Sequence, residues 1–374
     1  MEDTTLAGQK VGRAARLMNS GKKDIPLPFP GVKKVLIRSA NWVGDAVMSL
    51  PAIVSLRFSL PGAQISILAK PWVAEIFQGN PAIDRVILYQ SPGVHQGFGG
   101  KWRLARKLKK ERFDLAVLIQ NAFEAALISF MAGIPQRSGY STDGRTLLLT
   151  HPVPVDQKAK SGHQVDYYLE LVRSLGFRAA NRIPSLKVPE TRQQEAGQRL
   201  NSLGIAERER IVGISPGATY GSAKQWFPER YGELTARIFR NFTKRILVFG
   251  SRSDQKVAAQ VRQKAQVPMI DLTGTTTLAQ AIALIARCHL FVTNDSGLMH
   301  VAAALGVPLI AIFGSTDPKK TGPLGNFCRV LRKPVVCAPC LKTECPEDRR
   351  CMDLISVDEV YEAVKKIWAR NHEP

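Results

Sequence analysis

Short apolar runs rich in β-branched residues alternate along this chain with longer segments of helix length. VLIR (35–38), ISILA (65–69), RVILY (85–89) and DLAVLI (114–119) are each followed by such a segment, the pattern of parallel strands joined by crossover helices. A polar stretch from Phe177 to Arg210 interrupts the alternation, which then resumes. IVGIS (211–215), RILVFG (245–250), MIDL (269–272), LFVTN (290–294) and PLIAIFG (308–314) are almost continuously apolar, as strands covered on both faces must be. The pattern predicts an α/β chain of two Rossmann-like, doubly wound parallel-sheet domains facing a cleft. The expected layout is a flexible N-terminal extension at 1–30, a first domain at 31–180, a linker region at 181–210, a second domain at 211–355 and a C-terminal helix at 356–374. Ligands in such sheets sit beyond the carboxyl ends of the strands, so the loops there are where chemistry is sought.

Composition narrows the classes. A chain of 374 residues with 45% hydrophobic and 22% charged residues is too long for one ordinary core and too apolar for disorder. Its longest apolar stretches, such as Val301 to Phe313, are cut by Gly306 and Pro308, short of the ~20 residues a membrane span needs. The first thirty residues are polar and basic, without the apolar segment of a signal peptide, so a cytoplasmic location is expected. The net charge is +21, and residues 1–115 hold 18 Lys/Arg against 8 Asp/Glu. KWRLARKLKKER (101–112) concentrates seven of these cations around Trp102, Leu104 and Leu108. This is either a solvated helix face or a surface for nucleic acid, anionic lipid or a phosphorylated glycan. No helix-turn-helix, RNA-recognition or zinc-finger pattern supports nucleic acid.

Familiar nucleotide signatures are missing. There is no G-x-x-x-x-G-K-[ST], no G-x-G-x-x-G after a strand and no D-x-D, so a bound diphosphate would have to be neutralised by helix ends and cationic side chains. Two loops suit that task. Ser215-Pro216-Gly217-Ala218-Thr219, continuing to Lys224, combines small residues that admit a phosphate to the backbone with one point charge. Asn294-Asp295-Ser296-Gly297, leading to His300, opens a helix whose first N–H groups carry about half a positive charge. A glycine-rich connection and an ordinary N-cap are the plain alternatives. In the first domain, strand 35–38 leads through Asn41, Trp42 and Gly44 to Asp45 at a helix start. There Asp45 either complements the helix dipole or serves as a general base.

The segments SANWVGDAVMS, NAFEAALISFMAGIPQRSGY, SPGATYGSAKQW, LVFGSRSD and TNDSGLMHVAAALGVPLIAIFG together resemble the ADP-heptose:lipopolysaccharide heptosyltransferases, from about Lys34 to Trp368. The resemblance implies an inverting, metal-independent glycosyltransferase of the two-domain B type, with an acceptor-binding first domain and a donor-binding second. It implies transfer of heptose from ADP-heptose to the first heptose of the lipopolysaccharide inner core, by a cytoplasmic enzyme peripheral on the inner face of the membrane, whose basic N-terminal domain meets anionic lipid. On the matching positions, Asp45 is the catalytic carboxylate and Lys224 the phosphate-contacting lysine. Ser215, Gly217, Thr219, Asp295, Ser296, Gly297 and His300 surround the donor, and Asn41, Trp42, Asn121, Arg137 and Arg145 fall on the acceptor side. Ser251 and Asp254 either meet the ribose or cap the next helix, and His163 either caps its helix or reaches the cleft. Another acceptor position or nucleotide sugar within the family, and a nonenzymatic basic protein binding nucleic acid or membrane, are the alternatives.

Cys337, Cys340, Cys345 and Cys351 lie within fifteen residues. Such a cluster suits a structural Zn site, reduced thiols or a redox role, and no cofactor is expected for the chemistry.

Overall fold

The structure, a computed structural model, describes residues 29–370, so the expected extension at 1–30 lies outside the described residues except for its last two. Two six-stranded, wholly parallel sheets dominate it. The first contains β1 (Lys34–Arg38), β2 (Gln64–Ala69), β3 (Arg85–Leu88), β4 (Leu115–Leu118), β5 (Gln136–Tyr140) and β6 (His151–Val153) in the order β3-β2-β1-β4-β5-β6. The second contains β7 (Ile211–Ser215), β8 (Arg245–Val248), β9 (Ile270–Asp271), β10 (Leu290–Asn294), β11 (Leu309–Phe313) and β12 (Cys328–Arg332) in the order β12-β11-β10-β7-β8-β9. Each sheet therefore reverses its winding beside its first strand, at β1/β4 and at β7/β10. Such a switch point opens a crevice at the strands' carboxyl ends.

Strands β5, β6 and β12 were not expected from the pattern. QRSGY, HPV and CRVLR lie toward sheet edges and carry polar residues, so the two-sided apolar signature is absent. The expected linker at 181–210 contains a helix, Glu190–Ser202, which buries Ala196 and Leu200 and packs against the helix Leu278–Ile285.

Four helices position the site: α1 (Val43–Met48) after β1, α2 (Gln164–Ser174) beside it, α3 (Gly297–Ala304) after β10 and α4 (Val357–Arg370) at the end. Helix α4 lies within the C-terminal helix expected at 356–374, of which 371–374 fall outside the described residues, and it buries Val357, Val360, Ala363, Val364 and Trp368 in the second domain's core beside Val212, Ile238 and Ile310. Helices α1 and α3 meet between the two domains. A Cβ on Gly44 would stand 2.8 Å from His300 Cδ2, and one on Gly297 would stand 2.9 Å from Val43 Cβ. Glycine at both positions permits this approach. Through it the loops after β1 and β10 come to face one cavity.

Candidate active site

A cavity of about 700 Å³ is lined by Trp42, Gly44, Asp45 and Trp72 from the first domain and by the loops after β7, β8 and β10 from the second. That volume suits a nucleotide-sized ligand.

The β7 loop is fixed by hydrogen bonds to the end of β10. Asn294, at the end of β10, donates from Nδ2 to the Pro216 carbonyl at 2.7 Å and accepts from Trp226 N–H and Tyr231 O–H, each at 3.1 Å. Trp226 is fully buried and its indole N–H donates to Ile355 O at 3.0 Å, so the loop's far end is anchored in the core. Lys224 lies between. Its Nζ is 2.6 Å from Asp295 Oδ2, which also accepts from Thr316 Oγ1 at 2.6 Å. The buried carboxylate thus fixes the ammonium at the cavity wall. Beside it Ser296 caps α3, its side chain accepting from Met299 N–H, and the remaining first-turn N–H groups of that helix give the wall partial positive charge.

Across the cavity Asp45 is half-buried in the first turn of α1. Burial raises its carboxyl above the ordinary range. The hydroxyl of Tyr168, donating to Oδ1 at 3.2 Å, and the charge of Lys224 pull it back down, while Asp295 pushes it up. A carboxylate of raised basicity beside a cavity is equipped to accept a proton. Tyr168 is buried on α2, with its own ionisation pushed far up, so it remains a donor. His300 is buried and desolvation lowers its imidazole to about 4, which leaves it neutral near pH 7.

Ser215, Gly217, Thr219, Lys224, Ser251, Asp254, Asp295, Ser296, Gly297 and His300 all line the cavity, with Asp45 and Trp42 opposite. Ser251 and Asp254 also form a capping box, so the capping role is the one the structure shows, at a position that borders the cavity.

Four acceptor-side residues sit elsewhere. Arg145 is completely buried, donating to Tyr140 O at 2.8 Å, Gln120 O at 2.5 Å and Asn121 Oδ1 at 2.9 Å. Those partners occupy its guanidinium in tying together the chain that leaves β4 and the end of β5. Asn121 is taken up by Arg145 and by Tyr167, whose hydroxyl is 2.6 Å from Nδ2. Arg137 donates to Leu148 O and Ile134 O and lies over the Phe130 ring. Asn41 accepts from Arg38 and supports Trp72 instead of lining the cavity. His163 caps α2 by accepting from Val165 N–H, and its Nε2 lies 2.9 Å from Gly322 O of the second domain.

Burial raises the Cys351 thiol, and Cys337, Cys340 and Cys345 come near enough for their charges to raise it further. Cys351 is buried in the second domain's core whereas Cys337 is exposed. Among the described residues no group of three or more His, Cys, Asp or Glu side chains is placed to hold a metal.

Tyr168, Trp72, Thr316 and the Thr277 turn were not singled out from the sequence. Only Thr277 had a local signal, Thr277-x-x-Gln280, which forms a capping box.

This arrangement of two parallel sheets has known counterparts. The pattern of glycosyltransferase family 9 (heptosyltransferase) matches residues 101–350. The chain belongs to that family. Lipopolysaccharide heptosyltransferase 2 of Salmonella typhimurium is 34% identical over 307 residues, covering 80% of this chain and 88% of that protein. The solved structure of E. coli ADP-heptose lps heptosyltransferase II superposes with a TM-score of 0.77 at 28% identity, over 91% of this chain and 100% of that one. A family 9 glycosyl transferase from Veillonella parvula, at 23% identity and a TM-score of 0.80, shares the fold over 90% of this chain and 97% of its own. The chain is therefore a glycosyltransferase of the expected B-type architecture, and the nonenzymatic reading of its charge falls away.

Proposed function

We infer that this family 9 member is heptosyltransferase II, moving L-glycero-D-manno-heptose from ADP-heptose to the first heptose of the lipopolysaccharide inner core. The observation that carries the reading is the convergence of Asp45 and the Lys224–Asp295 pair on one cavity from opposite domains. The curated relatives named heptosyltransferase 2, at 33–34% identity over 80% of this chain, support the acceptor position.

In the reaction, Asp45 accepts the proton of the acceptor hydroxyl as that oxygen bonds to the anomeric carbon, on the face opposite the departing ADP. The bond from the anomeric carbon to the β-phosphate oxygen breaks, and its electron pair leaves with the diphosphate. Lys224 and the first-turn N–H groups of α3 meet the charge that develops there, already oriented by Asp295 and Ser296. A lysine and a helix end occupy the place that a metal bridged by a D-x-D motif would take, so turnover proceeds without a divalent ion.

We further place the enzyme at the inner face of the cytoplasmic membrane. Among the described residues no helix is long and apolar enough to cross a membrane. The helix Gly97–Glu111 buries Leu104, Ala105 and Leu108 while Phe98, Trp102, Arg103, Arg106, Lys107 and Lys110 stay exposed. Exposed aromatics among cations favour an anionic lipid surface.

The test is an assay with ADP-heptose and lipopolysaccharide ending in the first heptose. Asp45→Asn is expected to lower kcat by at least ~100-fold with donor affinity little changed. Near-normal turnover would remove Asp45 as the base.

A further inference from the structure

Two tryptophans on the first domain's side of the cavity are not used by the donor chemistry. Trp42 is 62% and Trp72 48% exposed, and both line the cavity. Large aromatic side chains open to water in a cleft mark a contact surface.

Both rings belong to a built unit. Trp72 is the second residue of the short helix Pro71–Ala74 after β2, and its indole N–H donates to the Asn41 carbonyl at 2.7 Å. The Asn41 side-chain oxygen accepts from Arg38 Nη2 at 2.9 Å, and Arg38 is itself buried beneath the loop. Trp42 is the next residue, the N-cap of α1, and its carbonyl accepts from Ala46 N–H at 2.8 Å. One stretch of backbone therefore fixes Trp72, displays Trp42 and carries Asp45 within the following turn. Lys70 Nζ, 5.6 Å from the Trp72 ring centroid and 3.9 Å from that of Tyr89, adds positive charge behind the platform.

We propose that Trp42 and Trp72 form a carbohydrate-binding platform on which a pyranose ring of the acceptor stacks, presenting its hydroxyl to Asp45. A pyranose has an apolar face of C–H groups and a polar rim. The negative face of an indole attracts the polarised C–H groups and leaves the rim free to bond elsewhere. This proposal rests on the heptosyltransferase reading and names the subsite that reading lacks once Asn121, Arg137 and Arg145 are assigned to structure.

The experiment compares wild type, Trp72→Ala, Trp72→Phe and Trp42→Ala. It uses ADP-heptose with lipopolysaccharide ending in the first heptose, and calorimetric titration with ADP. The expected result is an acceptor KM raised at least ~10-fold in the alanine variants and less in Trp72→Phe, with kcat within ~3-fold and ADP affinity unchanged. Thermal melting confirms that each variant folds, and Trp72→Phe retains an aromatic face should Trp72→Ala not fold. Unchanged acceptor KM, or a parallel loss of ADP affinity that assigns the rings to the adenine, would overturn the platform. Failure of the wild-type enzyme to turn over would instead overturn the function reading, and the platform's acceptor with it.

Discussion

Tyr168→Phe isolates what the protein does to Asp45, the carboxylate proposed as the base. The substitution keeps the ring of a buried residue and deletes only the hydroxyl that donates to Asp45 Oδ1 at 3.2 Å. A hydrogen bond to a charged group contributes roughly 1.5–3 kcal/mol. At a length beyond the usual O–H···O range, about 1 kcal/mol is the fitting figure, equivalent to ~0.7 pH units at 1.36 kcal/mol per unit. The sign follows from which form the bond favours. The Tyr168 hydroxyl stabilises ionised Asp45, so deleting it raises the carboxyl's pKa further above the ordinary range to which burial has already lifted it. Asp45 acts as a base only when ionised, so activity is lost as pH falls through that pKa. The acid limb of kcat should therefore move to higher pH by ~0.5–1 unit, with the plateau within about 3-fold of wild type. The other charged groups acting on Asp45 are Lys224 and Asp295, and the His300 ring, which feels that same pair together with His163, packs against the neighbouring Gly44. His300, lowered to about 4, stays neutral through most of the working range. Steady-state rates from pH 5 to 9 with saturating donor make the measurement, with Asp45→Asn as the control that should lack the limb. An acid limb that stays within ~0.2 pH units, or moves down, refutes the assignment of Tyr168 as a donor to the working base.

Lys224→Ala should weaken ADP binding at least ~10-fold by calorimetry and lower turnover as well, since the proposed mechanism sets the ammonium against both the diphosphate and the charge that develops on it; unchanged values would take Lys224 out of the phosphate site. Arg145→Ala should cost about 2–4 kcal/mol in denaturant unfolding, because three acceptors lose a buried partner, with the acceptor KM unaltered; a stable variant with raised KM would return Arg145 to the acceptor site. Extensive dialysis against EDTA should leave turnover intact, and a loss restored by Mg²⁺ would contradict the lysine-and-helix mechanism. Replacing Arg103, Lys107 and Lys110 together by Gln should weaken binding to phosphatidylglycerol vesicles ~100-fold at low salt, at about 1 kcal/mol per cation, while kcat on a water-soluble acceptor holds; undiminished vesicle binding would dissociate that helix from the membrane.

Repeated apolar runs were enough to determine two parallel α/β domains, because strands covered by helices on both faces must be apolar throughout. The strand-end loops were legible for a related reason. Small residues and an N-cap before a helix are local features, and Ser215, Gly217, Lys224, Asp295 and Ser296 all line the cavity they were expected to line. Longer-range pairing was not legible. Arg137 and Arg145 carry the charge an anionic acceptor would want, and nothing in their neighbourhood announces that backbone carbonyls already occupy them. Tyr168 stands 123 positions from Asp45 on a helix whose pattern reads only as core-facing. What the tertiary structure alone decided is how closely the domains meet and through which helices. Gly44 and Gly297 let α1 and α3 approach so closely that a single Cβ would obstruct them. That contact sets a carboxylate from one sheet against a lysine and a helix end from the other, because packing depends on which surfaces meet in space, and the order of residues along one chain does not record it.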